Sequence, residues 1–207
     1  DLLLEGMLNT TDNAYEGVQG LTPAAQAALL MRRYFHEFDL PDFALGAFQV
    51  NAHANGAGNK FAMFQKAIKP SLYERVGVLS DPMNMFDASP DADGAAAIIL
   101  TRPDILPEKF PNKLVKITGS SLVIDTLALH DRPDPLEFNA ARLGINKVME
   151  QAGQTIDNMD LFELHDAFSI YNPLVLEAAG LAEKGQGWKL GQDGTIALDG
   201  KLPINTL

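Results

Sequence analysis

The chain has 207 residues, 46% of them hydrophobic and 21% charged, with a formal net charge of -11 and an isoelectric point near 4.7. That acidity repels a phosphate backbone and no basic stripe interleaved with aromatics offsets it, which argues against nucleic acid as a partner. No window reaches the ~18 to 20 apolar residues of a membrane span and no basic-then-apolar leader opens the chain, so a cytoplasmic protein away from membranes is expected. The lack of any cysteine removes disulfides, thiolate metal sites and a cysteine nucleophile from these residues. A phosphorylated small molecule stays admissible, because a few local donors can hold one against an unfavourable mean field.

Residues 1–80 read as mainly helical. Thr22 is a good N-cap and Pro23 fits the first helical position, after which Ala27, Leu30, Met31, Tyr34 and Phe38 share one face. A second helix is predicted from near Pro41 through Ala44, Ala47 and Phe48 toward Ala52, ending in the turn-rich Asn55-Gly56-Ala57-Gly58-Asn59. The texture changes at Asp81, where Asp, Pro and Ser lead to the apolar run Ala95–Leu100, predicted as a buried strand, so that 81–105 closes a first lobe. Pro103, Pro107 and Pro111 mark a linker, because clustered prolines block helix interiors and central strands alike, and 106–207 forms a second lobe. In it Lys116-Ile117-Thr118 and Leu122-Val123-Ile124 suggest strands. Asn139 to Ala152 forms a helix with Ala141, Ile145, Val148 and Ala152 on one face and Gly153 as its cap. A short strand at Leu161–Leu164 is followed by a helical pattern in Ile170, Leu174 and Ala178, kinked or restarted by Pro173 and stopped by Gly180. Two Asp-Gly pairs, at 193–194 and 199–200, bracket a short strand over Thr195–Leu198. Strand alternating with helix gives a layered α/β class. With Asp1 in place of Met and Leu207 directly after a strand-like stretch, both ends are expected to be cuts.

His165 is the leading candidate for chemistry. It stands where a short apolar strand hands over to a helix, the place at which open α/β sheets gather ligands. An imidazole there can donate to a developing oxyanion with Asp166 fixing local geometry, or it can be a core histidine bonded to backbone. The stretch from Asp87 to Gly94 has the alternating oxygens of a calcium loop, but counting from Ser89 its twelfth position is Leu100 rather than a bidentate Glu, so a solvated loop is expected. The pairs His130-Asp131 and His165-Asp166 lack the further ligands of a metal-dependent phosphohydrolase, and no metal is expected. His53 reads as a helix-end packing or capping residue and His36 as a surface residue. Gly185-Gln186-Gly187 is a weak match to a phosphate cradle, and no Gly-x-Ser-x-Gly elbow is present.

Several blocks taken together resemble the thiolase superfamily, most closely its sterol-carrier-protein-X branch with the archaeal acetoacetyl-CoA relatives. Asn51-Ala52-His53-Ala54-Asn55 with Asn59 is similar to that branch's Asn-His-x-Asn-Ala and Asn-Pro segment, with Lys60 in place of the proline. Asp87-Ala88-Ser89 through Asp93-Gly94-Ala95-Ala96-Ala97 resembles the Asn-Ala-Ser...Asp-Gly-Ala-Ala-Ala block. Leu164-His165-Asp166-Ala167-Phe168 matches His-Asp-x-Phe, where ordinary thiolases carry Asn-Glu-Ala-Phe. Gly200-Lys201-Leu202-Pro203-Ile204-Asn205 is similar to the segment that precedes the family's Gly-His-Pro motif.

The resemblance implies a partial thiolase-like layered α/β fold: a helical loop region over 1–80, the end of the N-terminal lobe over 81–105, and most of the C-terminal lobe over 106–207. It also implies CoA-thioester chemistry in lipid metabolism, namely Claisen condensation or thiolytic cleavage of a 3-oxoacyl-CoA such as acetoacetyl-CoA. His165 would build the oxyanion hole for the thioester enolate, Ser89 would contact the pantetheine arm, and Phe168 would lie against that arm. The acyl-accepting cysteine, the second histidine and the proton-shuttling cysteine would lie outside this chain, which alone would be inactive. The CoA thioester is substrate, no cofactor is expected, and a homodimer is the family expectation. Two alternatives stand beside this. One is a thiolase-like aldol lyase acting on side-chain CoA thioesters with an OB-fold, zinc-ribbon partner; the other is a non-catalytic thiolase-like subunit.

Overall fold

The computed structural model describes Gly6 and residues 9–206. The extreme residues Asp1 and Leu207, on which the reading of both ends rested, lie outside that set. Helix α1 (Pro23–Phe38) begins as predicted: Thr22 Oγ1 accepts the Ala25 N–H at 3.2 Å, and Pro23 occupies the first turn where an N–H would have no acceptor. Ala27, Leu30, Met31 and Tyr34 are buried along one face. Helix α2 (Gly46–Gly58) starts later than expected, because Phe43 adopts a left-handed φ of 59° and interrupts the chain after Pro41. Its first residue has to be small. A Cβ at position 46 would lie 2.7 Å from the Tyr73 ring at the end of α3 (Pro70–Tyr73). The helix also runs through Asn55 instead of stopping there, since the buried Asn55 amide finds acceptors elsewhere in the fold.

A two-stranded antiparallel hairpin, β1 (Val78–Ser80) with β2 (Met83–Asn84), follows. Helix α4 (Asn139–Ala152) ends on Gly153 at φ 63°, the left-handed cap expected of it. Helix α5 (Tyr171–Ala178) is not kinked by Pro173, which sits in the first turn where no intrahelical hydrogen bond is lost. Helix α6 (Lys189–Gln192) is a single turn. Met31, Tyr34, Leu45, Phe48, Met83, Leu136, Ile170, Leu174, Ile196 and Ile204 belong to one core cluster, so the early helices and the last third of the chain bury their apolar faces against each other. The Tyr34 hydroxyl donates to Glu177 across the same contact.

The expected strands over 95–100, 116–118, 122–124, 161–164 and 195–198 are not strands here. A strand exists by its ladder, and among the described residues these segments have no such partner. Phe162 makes only a single parallel bridge, to Ile204, and the 195–204 stretch closes as turns through Leu202 N–H to Thr195 O (2.9 Å) and Ile204 N–H to Ile196 O (3.1 Å). Ile99 is 95% exposed, Val115 91% and Leu122 87%. The 120–121 stretch lies along α4, with Ser121 Oγ donating to Gly144 O at 2.9 Å and Ser120 N–H to Gln151 Oε1 at 2.8 Å. No described helix is long and apolar enough to cross a membrane.

Candidate functional site

Four segments far apart in sequence converge on one surface. The first junction is organised by Asp87, 1% exposed. Its carboxylate accepts the Tyr73 hydroxyl (2.7 Å), the Ser169 hydroxyl (2.6 Å) and the Asn84 N–H (2.8 Å), while its carbonyl accepts the Ser169 N–H (2.8 Å). Burial pushes the Asp87 carboxyl above the usual range, opposed by the donors from Ser169, Tyr73 and Asn84. Burial and the neighbouring Asp87 charge likewise push the Tyr73 hydroxyl up. With this clamp closed, Ala88 and Phe168 pair as an antiparallel bridge and the Ser89 N–H donates to Ala167 O at 2.9 Å. Ser89 is thereby set beside the 165–168 segment, and its own side chain is exposed.

The second junction is organised by Asn205, which takes a left-handed φ of 46°. Its side-chain oxygen accepts the Leu164 N–H at 2.9 Å and its N–H donates to Phe162 O at 3.2 Å. From α2, the Asn55 amide donates to the carbonyls of Asn205 (2.9 Å) and Ile204 (3.2 Å). The segment carrying His165 is therefore held on one side by the chain near 205 and on the other by the chain near 87. Burial pushes the Asp166 carboxyl up, against a hydrogen bond from Asn205 and the influence of His165. His165 itself is exposed, which removes the core-histidine reading. Its ring centroid lies 6.1 Å from that of Tyr171, and Tyr171 in turn meets Phe168 edge-on at 5.4 Å and Phe138 at 5.5 Å.

The three residues singled out from sequence, His165, Phe168 and Ser89, thus lie on adjoining segments of one surface. Asp87, Ser169, Asn205 and Tyr171 were not singled out. Asp87 and Asn205 stood inside motif blocks, but nothing local marks a carboxylate or an amide as a clamp. Two of the other histidines have partners of their own. His53 packs between Phe64 (5.8 Å) and Phe86 (5.4 Å) with Nδ1 3.3 Å from Lys66 O, and His130 lies beside Glu16 and Asp131 at 3.8 and 3.6 Å. The Gly187 N–H donates to the Glu177 carboxylate at 2.8 Å, so the Gly-Gln-Gly turn faces an anion of the protein itself.

Comparison with known proteins matches residues 121–207 to the family described as thiolase C-terminal domain-like. An acetyl-CoA acetyltransferase of Methanothermobacter thermautotrophicus is 32% identical over 195 residues, which cover 94% of this chain and 51% of that protein. A 17-hydroxy-3-oxo-4-pregnene-20-carboxyl-CoA lyase of Mycobacterium tuberculosis is 30% identical, over 94% of this chain and 52% of that protein. Among solved structures, an Ltp2-ChsH2(DUF35) aldolase superposes with a TM-score of 0.83 at 23% identity, covering 94% of this chain and 52% of that one. The chain spans about half the length of the proteins it matches.

Proposed function

We propose that the chain, whose residues 121–207 match the thiolase C-terminal domain-like family, is the part of a thiolase-superfamily acyl-CoA acyltransferase that supplies its oxyanion and CoA-arm side. The reaction is Claisen condensation, or its thiolytic reverse, on a 3-oxoacyl-CoA such as acetoacetyl-CoA. The observation that carries this is the junction at which Ser89 N–H meets Ala167 O, because it sets the backbone carrying Ser89 against the strip of chain that carries His165 and Phe168. In the condensation direction a base removes the α-proton of one thioester and the carbanion attacks the carbonyl carbon of an acyl thioester. A carbon–carbon bond forms and a thiolate leaves. The carbanion is accessible near neutral pH only if its enolate oxygen meets a preorganised donor, and an N–H of His165 is that donor. Phe168 packs against the pantetheine arm and the Ser89 hydroxyl bonds to it. The acyl-accepting thiol is not a residue of this chain, which has no cysteine, and the same proposal puts the base, a second cysteine, outside it too.

In the full-length enzyme, His165→Ala is expected to lower kcat by about 10²- to 10³-fold, the scale of losing one oxyanion donor, with a smaller change in CoA affinity. Turnover equal to wild type removes His165 from the mechanism. A second reading, a retro-aldol lyase of side-chain CoA thioesters working with an OB-fold, zinc-ribbon partner, is favoured by the mycobacterial lyase at 30% identity. Stoichiometry separates the two: thiolysis consumes one free CoA per bond broken, whereas retro-aldol cleavage consumes none. A cytoplasmic homodimer belongs to the same proposal and is checked by the solution mass of the purified enzyme.

A further inference from the structure

Beside the strip just described lies a cavity of about 360 Å³, between α1 (Pro23, Leu30), the turn at 127–132, the start of α4 (Phe138, Ala141) and Tyr171. Its volume is within the ~300 to 1,000 Å³ of pockets that take a drug-sized ligand, far more than a four-carbon acetoacetyl group fills. Tyr171 lines the cavity and also carries the ring that lies 6.1 Å from His165, so the space adjoins the proposed reacting centre. Most of the lining is apolar. The polar groups are mostly engaged: Gln26 donates to Glu16 at 2.9 Å, and the Asp125 carboxylate accepts the N–H groups of Thr126 (2.8 Å) and Ala140 (3.2 Å).

Arg132 is different. Its Nε donates to Thr126 O at 3.0 Å, and among the described residues its guanidinium has no carboxylate partner within ion-pair distance. It lies near enough to Tyr171 for its charge to act on that hydroxyl. A half-buried guanidinium with free terminal N–H groups at the edge of an apolar chamber is suited to a carboxylate, which can take two parallel hydrogen bonds from it.

We infer that this cavity is the acyl subsite, and that it takes a bulky acyl group whose apolar body ends in a carboxylate held by Arg132. The inference rests on the thioester reading above and adds the substrate class. The test uses the full-length enzyme and four ligands that cannot turn over, measured by calorimetry: free CoA, S-ethyl-CoA, and two S-alkyl-CoA thioethers with the same carbocyclic body, one ending in a carboxylate and one in a carboxamide. Wild type is expected to bind the carboxylate ligand at least about tenfold more tightly than either S-ethyl-CoA or the carboxamide, the scale of one charge-assisted pair. Arg132→Gln should bring the carboxylate-to-carboxamide ratio to about one. Ala141→Phe, which fills the chamber without touching the charge, should cut the preference for both bulky ligands over S-ethyl-CoA about tenfold. Equal affinity for the three thioethers in wild type, or an unchanged ratio in Arg132→Gln, overturns the subsite while leaving the thioester reading in place. Failure of free CoA itself to bind overturns both.

Discussion

Asp87 is a buried carboxylate whose three donors come from three different parts of the chain. Removing it and removing only its charge should therefore have different effects. Asp87→Ala leaves two hydroxyls and an N–H unpaired in a closed space, and each such group costs about 1 to 3 kcal/mol. Asp87→Asn can turn its oxygen to the Asn84 N–H and its NH₂ to the hydroxyls, which also accept, so near neutral pH it should stay within about 1 kcal/mol of wild type. The two also differ in pH dependence. Because burial raises the folded-state pKa of Asp87, the native state holds its proton more tightly than the unfolded chain does. The stability this contributes is present in full below the unfolded value near ~3.9 and is lost as pH rises through the raised folded value. Thermal melts from pH 4 to 8 should show Asp87→Asn gaining on wild type as pH rises. A constant difference across that range would mean that Asp87 titrates alike in both states.

At the scale of elements, helices and strands differ in what they owe to neighbours in sequence. Helix α1 owes its start to Thr22, and Thr22→Ala should cost about 1 kcal/mol, read as a lower urea midpoint at unchanged slope. A loss below a tenth of that would show that packing of Met31 and Tyr34 alone sets the start. Such signals are local, which is why α1, α4 and α5 were legible from residues within one turn of their ends. Helix α2 was placed too early because the left-handed Phe43 and the close approach of Tyr73 leave no trace near Pro41. The apolar runs 95–100 and 122–124 carry the composition of strands, but a ladder is a property of two segments, and these have none among the described residues. The site divides in the same way. His165, Phe168 and Ser89 stood in motif blocks and were named from sequence, whereas the bonds that hold their segments span 82 residues from Asp87 to Ser169 and 150 from Asn55 to Asn205, beyond any local pattern.

Across the whole molecule, the long-range contacts form a belt around one stretch of chain that contributes little to it. Residues 90–118 are almost wholly exposed and include Lys109, Lys113 and Lys116, none of them followed by proline, which offer trypsin its points of attack. The bonds Tyr34 to Glu177, Asp87 to Ser169 and Asn55 to Asn205 each join the part before that stretch to the part after it. Covalent continuity through the 90s and 100s is therefore not what keeps the segment carrying His165 against the segment carrying Ser89. A singly nicked molecule should migrate as one species on a native gel and fall into two pieces only in denaturant; separation without denaturant would mean that those crossing bonds are too weak to hold the halves. By the same logic, two separately expressed pieces meeting at this stretch are a route to rebuilding the surface by simple mixing.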